Sequence, residues 1–196
     1  FSKIEQMDAY KGVVPYYIAE IRYFQGQTGA ALQKAREEMA RPTPSFYDNE
    51  FHLLAAQCLF EQEQYEQALP YFEYYYAKSD QIRKQDLYEM AYSYYRVKSF
   101  SKAIEPFRQL SSSQDSLGQT AMYFLGDCFL QTDDKRGAKN AFALAGSMDY
   151  NRSSAEHATL LSGKRSVERW YTAEGIAQMQ KLLSDYPDGE DRKEAT

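Results

Sequence analysis

Along this chain apolar residues recur at helical spacing, and the helical pattern itself repeats. Between Leu87 and Tyr95, Leu87, Ala91 and Tyr94 fall at i, i+4 and i+7 on one helical face, and Tyr88, Tyr92 and Tyr95 fall on the next face round. A longer period is marked by small residues. Ala68, Ala103 and Ala138 stand 35 residues apart, and each precedes an aromatic by four positions: Phe72, Phe107 and Phe142. Twelve residues before each alanine comes another small residue, Ala56, Ala91 or Gly126. Each period therefore predicts a helix bearing the first small residue, a short turn, and a second helix bearing the alanine and the phenylalanine. Such a pattern indicates a stacked helical-repeat array, and arrays of this kind mostly bind other proteins. The strand that Tyr74-Tyr75-Tyr76 would favour loses to this register.

The second period carries Ala56, Leu59, Tyr65, Ala68 and Phe72, and the third Ala91, Tyr94, Phe100, Ala103 and Phe107. The fourth carries Gly126, Phe129, Ala138 and Phe142, with Lys135 in place of the turn aromatic. This set resembles the tetratricopeptide repeat, a two-helix unit of about 34 residues with small residues where its helices touch. The resemblance implies an all-α fold, a right-handed superhelical solenoid of antiparallel helix pairs. Two degenerate units flank the three. Ala19, Tyr23, Gly26, Ala31 and Ala35 fit upstream, and Gly163, Gly175, Met179 and Leu183 fit downstream, ending in Tyr186-Pro187-Asp188-Gly189, where proline stops a helix and glycine permits a turn. We expect one repeat domain over 1–196, with five units at about 12–45, 49–82, 84–117, 119–152 and 156–189.

The ends read as interior pieces of such an array. Phe1 stands where a preceding unit would carry its second-helix aromatic, and Ile4 and Met7 follow at helical spacing. Residues 190–195 have the acidic opening of another helix. The chain is therefore expected to be a segment of a longer array.

Composition narrows the setting. The chain is 43% hydrophobic and 26% charged with a mean hydropathy of −0.69, and it holds no apolar run of about 18 or more residues that would span a bilayer. Net charge is −5 and basic residues alternate with acidic ones, whereas nucleic-acid binding needs a basic face. Pro42, Pro44 and Pro187 fall at unit borders; Pro70 and Pro106 are expected near the start of second helices, where a missing N–H has no intrahelical partner. Cys58 and Cys128 occupy equivalent places on first helices with a whole unit between them. Packed helices lie about 8–10 Å apart, so the two cannot reach the Cα separation of at most roughly 7 Å that a disulfide requires. They read as small buried hydrophobes.

Catalytic chemistry is hard to find. His52 and His157 lack the i, i+4 partner of a helical zinc site. There is no phosphate-cradling glycine loop, no Gly-x-Ser-x-Gly elbow and no paired-cysteine spacing. Carboxylate pairs such as Glu37-Glu38, Asp133-Asp134 and Glu190-Asp191 read as solvated charge. No enzyme activity, cofactor or metal is expected.

Tyrosine stands out, with 18 in the chain. In the architecture that the resemblance implies, first helices line the inner wall, so the second apolar face of each would look into a groove. That register brings together Tyr16, Glu20, Tyr23 and Phe24; Leu53, Gln57, Phe60 and Glu61; Tyr88, Tyr92, Tyr95 and Arg96; and Tyr123, Asp127, Leu130 and Gln131. From these the candidate partner-binding residues are Tyr16, Glu20, Tyr23, Gln57, Phe60, Tyr88, Tyr92, Tyr95, Arg96, Tyr123 and Asp127. Tyrosine pairs a wide apolar ring with one hydroxyl, a combination favoured at interfaces. An aromatic stripe at helical spacing is nonetheless core more often than site. Tyr71, Tyr74, Tyr75 and Tyr76 lie on a second helix expected to face outward or toward the next unit.

Tetratricopeptide domains that grip acidic carboxyl tails use lysine and asparagine at groove positions. The matching positions here hold Leu53, Gln57, Tyr88 and Tyr92, so that clamp is absent and an extended or helical peptide with apolar anchors suits the wall better. The closing Leu182-Leu183-Ser184-Asp185-Tyr186-Pro187-Asp188-Gly189 is similar to repeats of bacterial cell-envelope scaffolds. That similarity implies a periplasmic or envelope setting, with the cytoplasm as the alternative. The leading expectation is a non-enzymatic scaffold whose groove holds a protein or peptide segment. A spacer or self-assembly module of a larger sensor or regulator, forming homo-oligomers through exposed repeat ends, is the first alternative; an enzyme is the second, and would need a buried titratable cluster in the groove that the sequence does not announce.

Overall fold

In the computed structural model, residues 12–168, 172–189, 191 and 195 are described. Phe1, Ile4 and Met7 lie outside them, as do residues 190 and 192–194 of the expected further helix. Among the described residues there are ten helices and no strand: α1 (Val14–Phe24), α2 (Thr28–Met39), α3 (Asp48–Glu61), α4 (Tyr65–Lys78), α5 (Lys84–Arg96), α6 (Phe100–Ser111), α7 (Ser116–Gln131), α8 (Lys135–Ser147), α9 (Arg152–Glu168) and α10 (Thr172–Asp185). They group in two compact units, α1–α5 up to Val97 and α6–α10 from Lys98 on. Within each unit every helix packs on the next in sequence. None of the described helices is long and apolar enough to cross a membrane.

The small-residue pattern has a direct steric reading. Ala56, Ala68 and Ala91 in the first unit, and Ala103 and Ala138 in the second, are wholly buried, as are the rings of Phe107 and Phe142, with Phe72 nearly so. At Gly126 the helices approach so closely that an added Cβ would lie 2.8 Å from two ring atoms of Phe142. Phe107 stacks on Phe124 at 5.5 Å between ring centres. The apolar face read on α5 is the packed one, with Leu87, Ala91 and Tyr94 all buried.

A second repeat shows only in the backbone. Gly26, Glu63, Lys98 and Asp133 each take positive φ, between 57° and 75°, one residue beyond a helix C-cap. After α3 the Glu63 N–H donates to the Phe60 carbonyl and the Gln64 N–H to the Leu59 carbonyl, at 2.9 and 2.8 Å. This is the Schellman closure that satisfies the last orphan carbonyls of a helix. Three of the four positions hold a residue with a Cβ, which the left-handed conformation disfavours.

Pro70 and Pro106 are placed differently from expectation. They lie inside α4 and α6 rather than in the first turn. The second helices begin at the turn aromatics Tyr65 and Phe100, three residues ahead of the alanines. Each proline therefore falls past the first four residues, whose N–H groups need no intrahelical acceptor, and leaves the carbonyls of Glu66 and Lys102 without their i+4 donors.

Polar side chains fix how one pair meets the next. In the first unit, buried Asp86 accepts both forks of Arg83, each at 2.8 Å, and the Gln57 amide of α3 at 3.1 Å. In the second unit, the Gln119 side chain on α7 is wholly buried. Its amide donates to the carbonyls of Ala145, Met148 and Asn151 at 2.8–3.1 Å, and its oxygen accepts the N–H groups of Tyr150 and Asn151. One side chain thus ties α7 to the turn between α8 and α9.

Two stability outcomes are expected. Gln119→Ala leaves buried backbone groups unpaired and costs about 3 kcal/mol in urea unfolding. Glu63→Gly relieves a left-handed residue and raises stability by about 1 kcal/mol, read as a higher midpoint in the same measurement.

Candidate functional site

In the first unit the first helices of successive pairs touch, α1 against α3 and α3 against α5. Their shared surface carries two features. The first is a groove of about 440 Å³ that gathers four predicted residues, Tyr16, Glu20 and Tyr23 of α1 and Gln57 of α3. Phe24, Leu53 and Leu54 add apolar wall, and Glu50, Tyr75, Arg83, Gln85 and Glu89 complete the lining. Tyr75 comes from α4, so one of the tyrosines expected to face outward or the next unit reaches this groove.

The groove has an acid-rich character with neutral rings. Tyr16 donates to Glu20 Oε1 at 3.1 Å and stacks flat on Tyr47 at 4.7 Å, with its edge on Phe51. Burial, then the neighbouring Glu20 charge, holds the Tyr16 phenol well above its ordinary range. Tyr23 is held up likewise by burial and by its hydrogen bond to Glu61. Glu89 is the unusual member. It is 8% exposed, its Oε1 accepts the Gln85 amide at 3.0 Å, and its Oε2 is buried without a hydrogen-bond partner. Burial pushes its carboxyl above the ordinary 4.5; the Gln85 hydrogen bond and the Arg83 charge pull the other way, while Asp86 and Glu61 push further up.

The second feature is a cluster of rings. Phe60, Tyr65, Tyr88 and Tyr92 lie with ring centres 5.5–6.0 Å apart, and Tyr92 stacks on Tyr95 at 6.1 Å. The Arg96 guanidinium sits over the Tyr65 ring at 4.6 Å and donates to the hydroxyls of Tyr65 and Tyr92, both at 3.1 Å. All five rings are half-buried, so they form a fixed surface rather than a closed core. Burial pushes the Tyr88 phenol up to about 12. The predicted Phe60, Tyr88, Tyr92, Tyr95 and Arg96 are thus brought together, with Tyr65 added.

The last two predicted residues, Tyr123 and Asp127, lie on α7 in the second unit. Tyr123 packs against Phe124, Phe142 and His157 at 5.4–5.8 Å, and its phenol is pushed up to about 12 by burial and by Asp127. His157 pairs with Asp191 at 2.6 Å beside a groove of about 610 Å³ that also includes Arg152, Ser153, Glu156, Asp188 and Gly189. His52 is a packing residue: it stacks on Tyr74 at 3.6 Å and its Nδ1 lies 2.7 Å from the Asp48 carbonyl oxygen. No group of three or more metal-type ligands occurs among the described residues. Cys58 and Cys128 are free and buried, and burial pushes both thiols up to about 12.

Glu50, Gln85, Glu89 and Tyr65 escape the sequence reading. Tyr65 is accounted for there as a turn aromatic. Glu89 stands one position from Tyr88, off both apolar faces read on α5. Its only signal is a buried polar stripe with Ser93 at i+4, whose hydroxyl donates to the Glu89 carbonyl.

No model of a known protein family matches the chain, and no curated protein matches it. Solved structures do. The chain is similar to YrrB, described as a TPR protein with an unusual peptide-binding site, at 13% identity, 95% of this chain and 92% of the other, with a TM-score of 0.76. It is similar to MamA at 13% identity, 94% and 96% coverage, and a TM-score of 0.71. Tetratricopeptide-like repeats of a putative kinesin light chain from Podosopora anserina align at 12% identity over 87% and 92%, with a TM-score of 0.59. The chain therefore has the all-α tetratricopeptide-repeat fold.

Glu89 supplies a pH test. A carboxyl whose folded-state pKa is raised carries no penalty below the ordinary carboxyl range, and its penalty grows as pH rises through the raised value. Glu89→Gln is therefore expected to melt at a higher temperature than the parent at neutral pH. That gain should vanish as acid protonates Glu89, checked by thermal melts across roughly pH 3–8.

Proposed function

We propose that the chain is a non-enzymatic interaction scaffold that holds a segment of a partner protein on the first-helix surface of its first unit. Phe60, Tyr65, Tyr88, Tyr92 and Tyr95 take the apolar anchors of that segment, and Tyr16, Glu20, Tyr23 and Gln57 of the adjoining groove take its polar part. The observation that carries this reading is the ring cluster held by Arg96. Five aromatic side chains stay half-exposed while a guanidinium fixes two of their hydroxyls. Immobilised rings lose little entropy on binding, which favours affinity. The likeness to a fold that includes a described peptide-binding protein supports it, and a net charge of −5 favours a protein over a nucleic-acid partner.

Selection of displayed random peptides on the 196-residue chain tests the proposal. Enriched peptides should carry two or more apolar anchors. The Tyr92→Ala/Tyr95→Ala double variant should keep its helical circular dichroism and bind those peptides at least about tenfold more weakly. Equal binding by the double variant removes the proposed surface.

A further inference from the structure

We infer that the groove between α1, α3 and α5 is a receptacle for one basic side chain of the partner segment, an arginine guanidinium. This deepens the proposed function and rests on it for the identity of the guest as part of a protein segment.

The lining carries three carboxylates, Glu20, Glu50 and Glu89, against one guanidinium, Arg83. That guanidinium also faces a fourth carboxylate, Asp86, which it binds through Nε and one Nη. The groove therefore holds an uncompensated negative charge. Glu89 sharpens the argument. It is more than nine-tenths buried, one of its oxygens has no hydrogen-bond partner, and no lysine or arginine stands among the lining residues other than Arg83. A buried acceptor left unmade costs stability, and an incoming cation with N–H donors would satisfy it while compensating the neighbouring charges.

The remaining walls fit the same guest. Tyr16, Tyr23 and Phe24 line the groove, and aromatic rings attract a planar guanidinium more than an alkyl ammonium. The Gln57 and Gln85 amides each donate to a carboxylate already, Asp86 and Glu89. Its volume of about 440 Å³ admits one long side chain.

The test titrates N-acetyl-argininamide, and its neutral isostere N-acetyl-citrullinamide, into the isotope-labelled chain followed by NMR. The arginine probe should produce saturable shifts at residues 16–24, 50–57 and 83–89 that weaken with salt, and the citrulline probe should produce none. Glu89→Gln should weaken the arginine probe at least about tenfold, and Glu50→Gln, a second variant on the same wall, should weaken it less. Tyr92→Ala/Tyr95→Ala should leave it unchanged. Equal shifts from both probes, or an unaltered response in both glutamine variants, overturns the inference. Selected peptides that bind through apolar anchors but lack a basic residue also overturn it while leaving the scaffold reading intact. Arginine-probe binding without any selected peptide does the reverse.

Discussion

Two helices can approach as closely as these pairs do only if one side of the crossing carries next to nothing beyond its Cβ. Ala56, Ala68 and Ala91, then Ala103 and Ala138, meet that condition with no exposed surface at all, and at Gly126 even a methyl group has no room beside Phe142. At that crossing the ring of Phe142 fills the space that Gly126 leaves, a matched void and filling. On α5 the stripe of Leu87, Ala91 and Tyr94 is the buried one, which releases the next stripe round from core duty. In the first unit that released stripe is where Tyr88, Tyr92 and Tyr95 assemble.

Apolar crossings do not by themselves set how one pair meets the following one, since flat hydrophobic contact is non-directional. Directional groups do that work here. Asp86 receives donors from both sides of the α3–α5 contact, and Gln119 spends its donors and acceptor on backbone groups from Ala145 to Asn151. Each is buried with its hydrogen bonds made, which is the condition under which a buried polar group rigidifies a structure. Glu89 breaks that rule, and it does so at the wall of a groove.

The helices and their crossings could be read from the chain because small residues and rings leave a compositional trace at a fixed spacing. Tyr16, Glu20, Tyr23 and Gln57 came to one groove because a shared register determines which residues face the same way. Other features left no such trace. The left-handed turns hold Glu63 and Lys98, which have no special preference for that conformation, and Asp133, which merely tolerates it, so Gly26 announces its turn most plainly. Pro70 and Pro106 were displaced because the helix start is set by Tyr65 and Phe100 rather than by the alanines. Glu50 and Glu89 look like ordinary surface acids until neighbouring helices cover them, a tertiary effect that local pattern does not encode.

The cysteines lend the architecture an unplanned use. Cys58 lies in the first unit and Cys128 in the second, each sealed from solvent and each kept protonated by its surroundings. A thiol in that condition reacts only when its own neighbourhood opens. Each half of the array therefore contains a built-in clock, and the two rates of alkylation would time the breathing of the halves independently, without any added label.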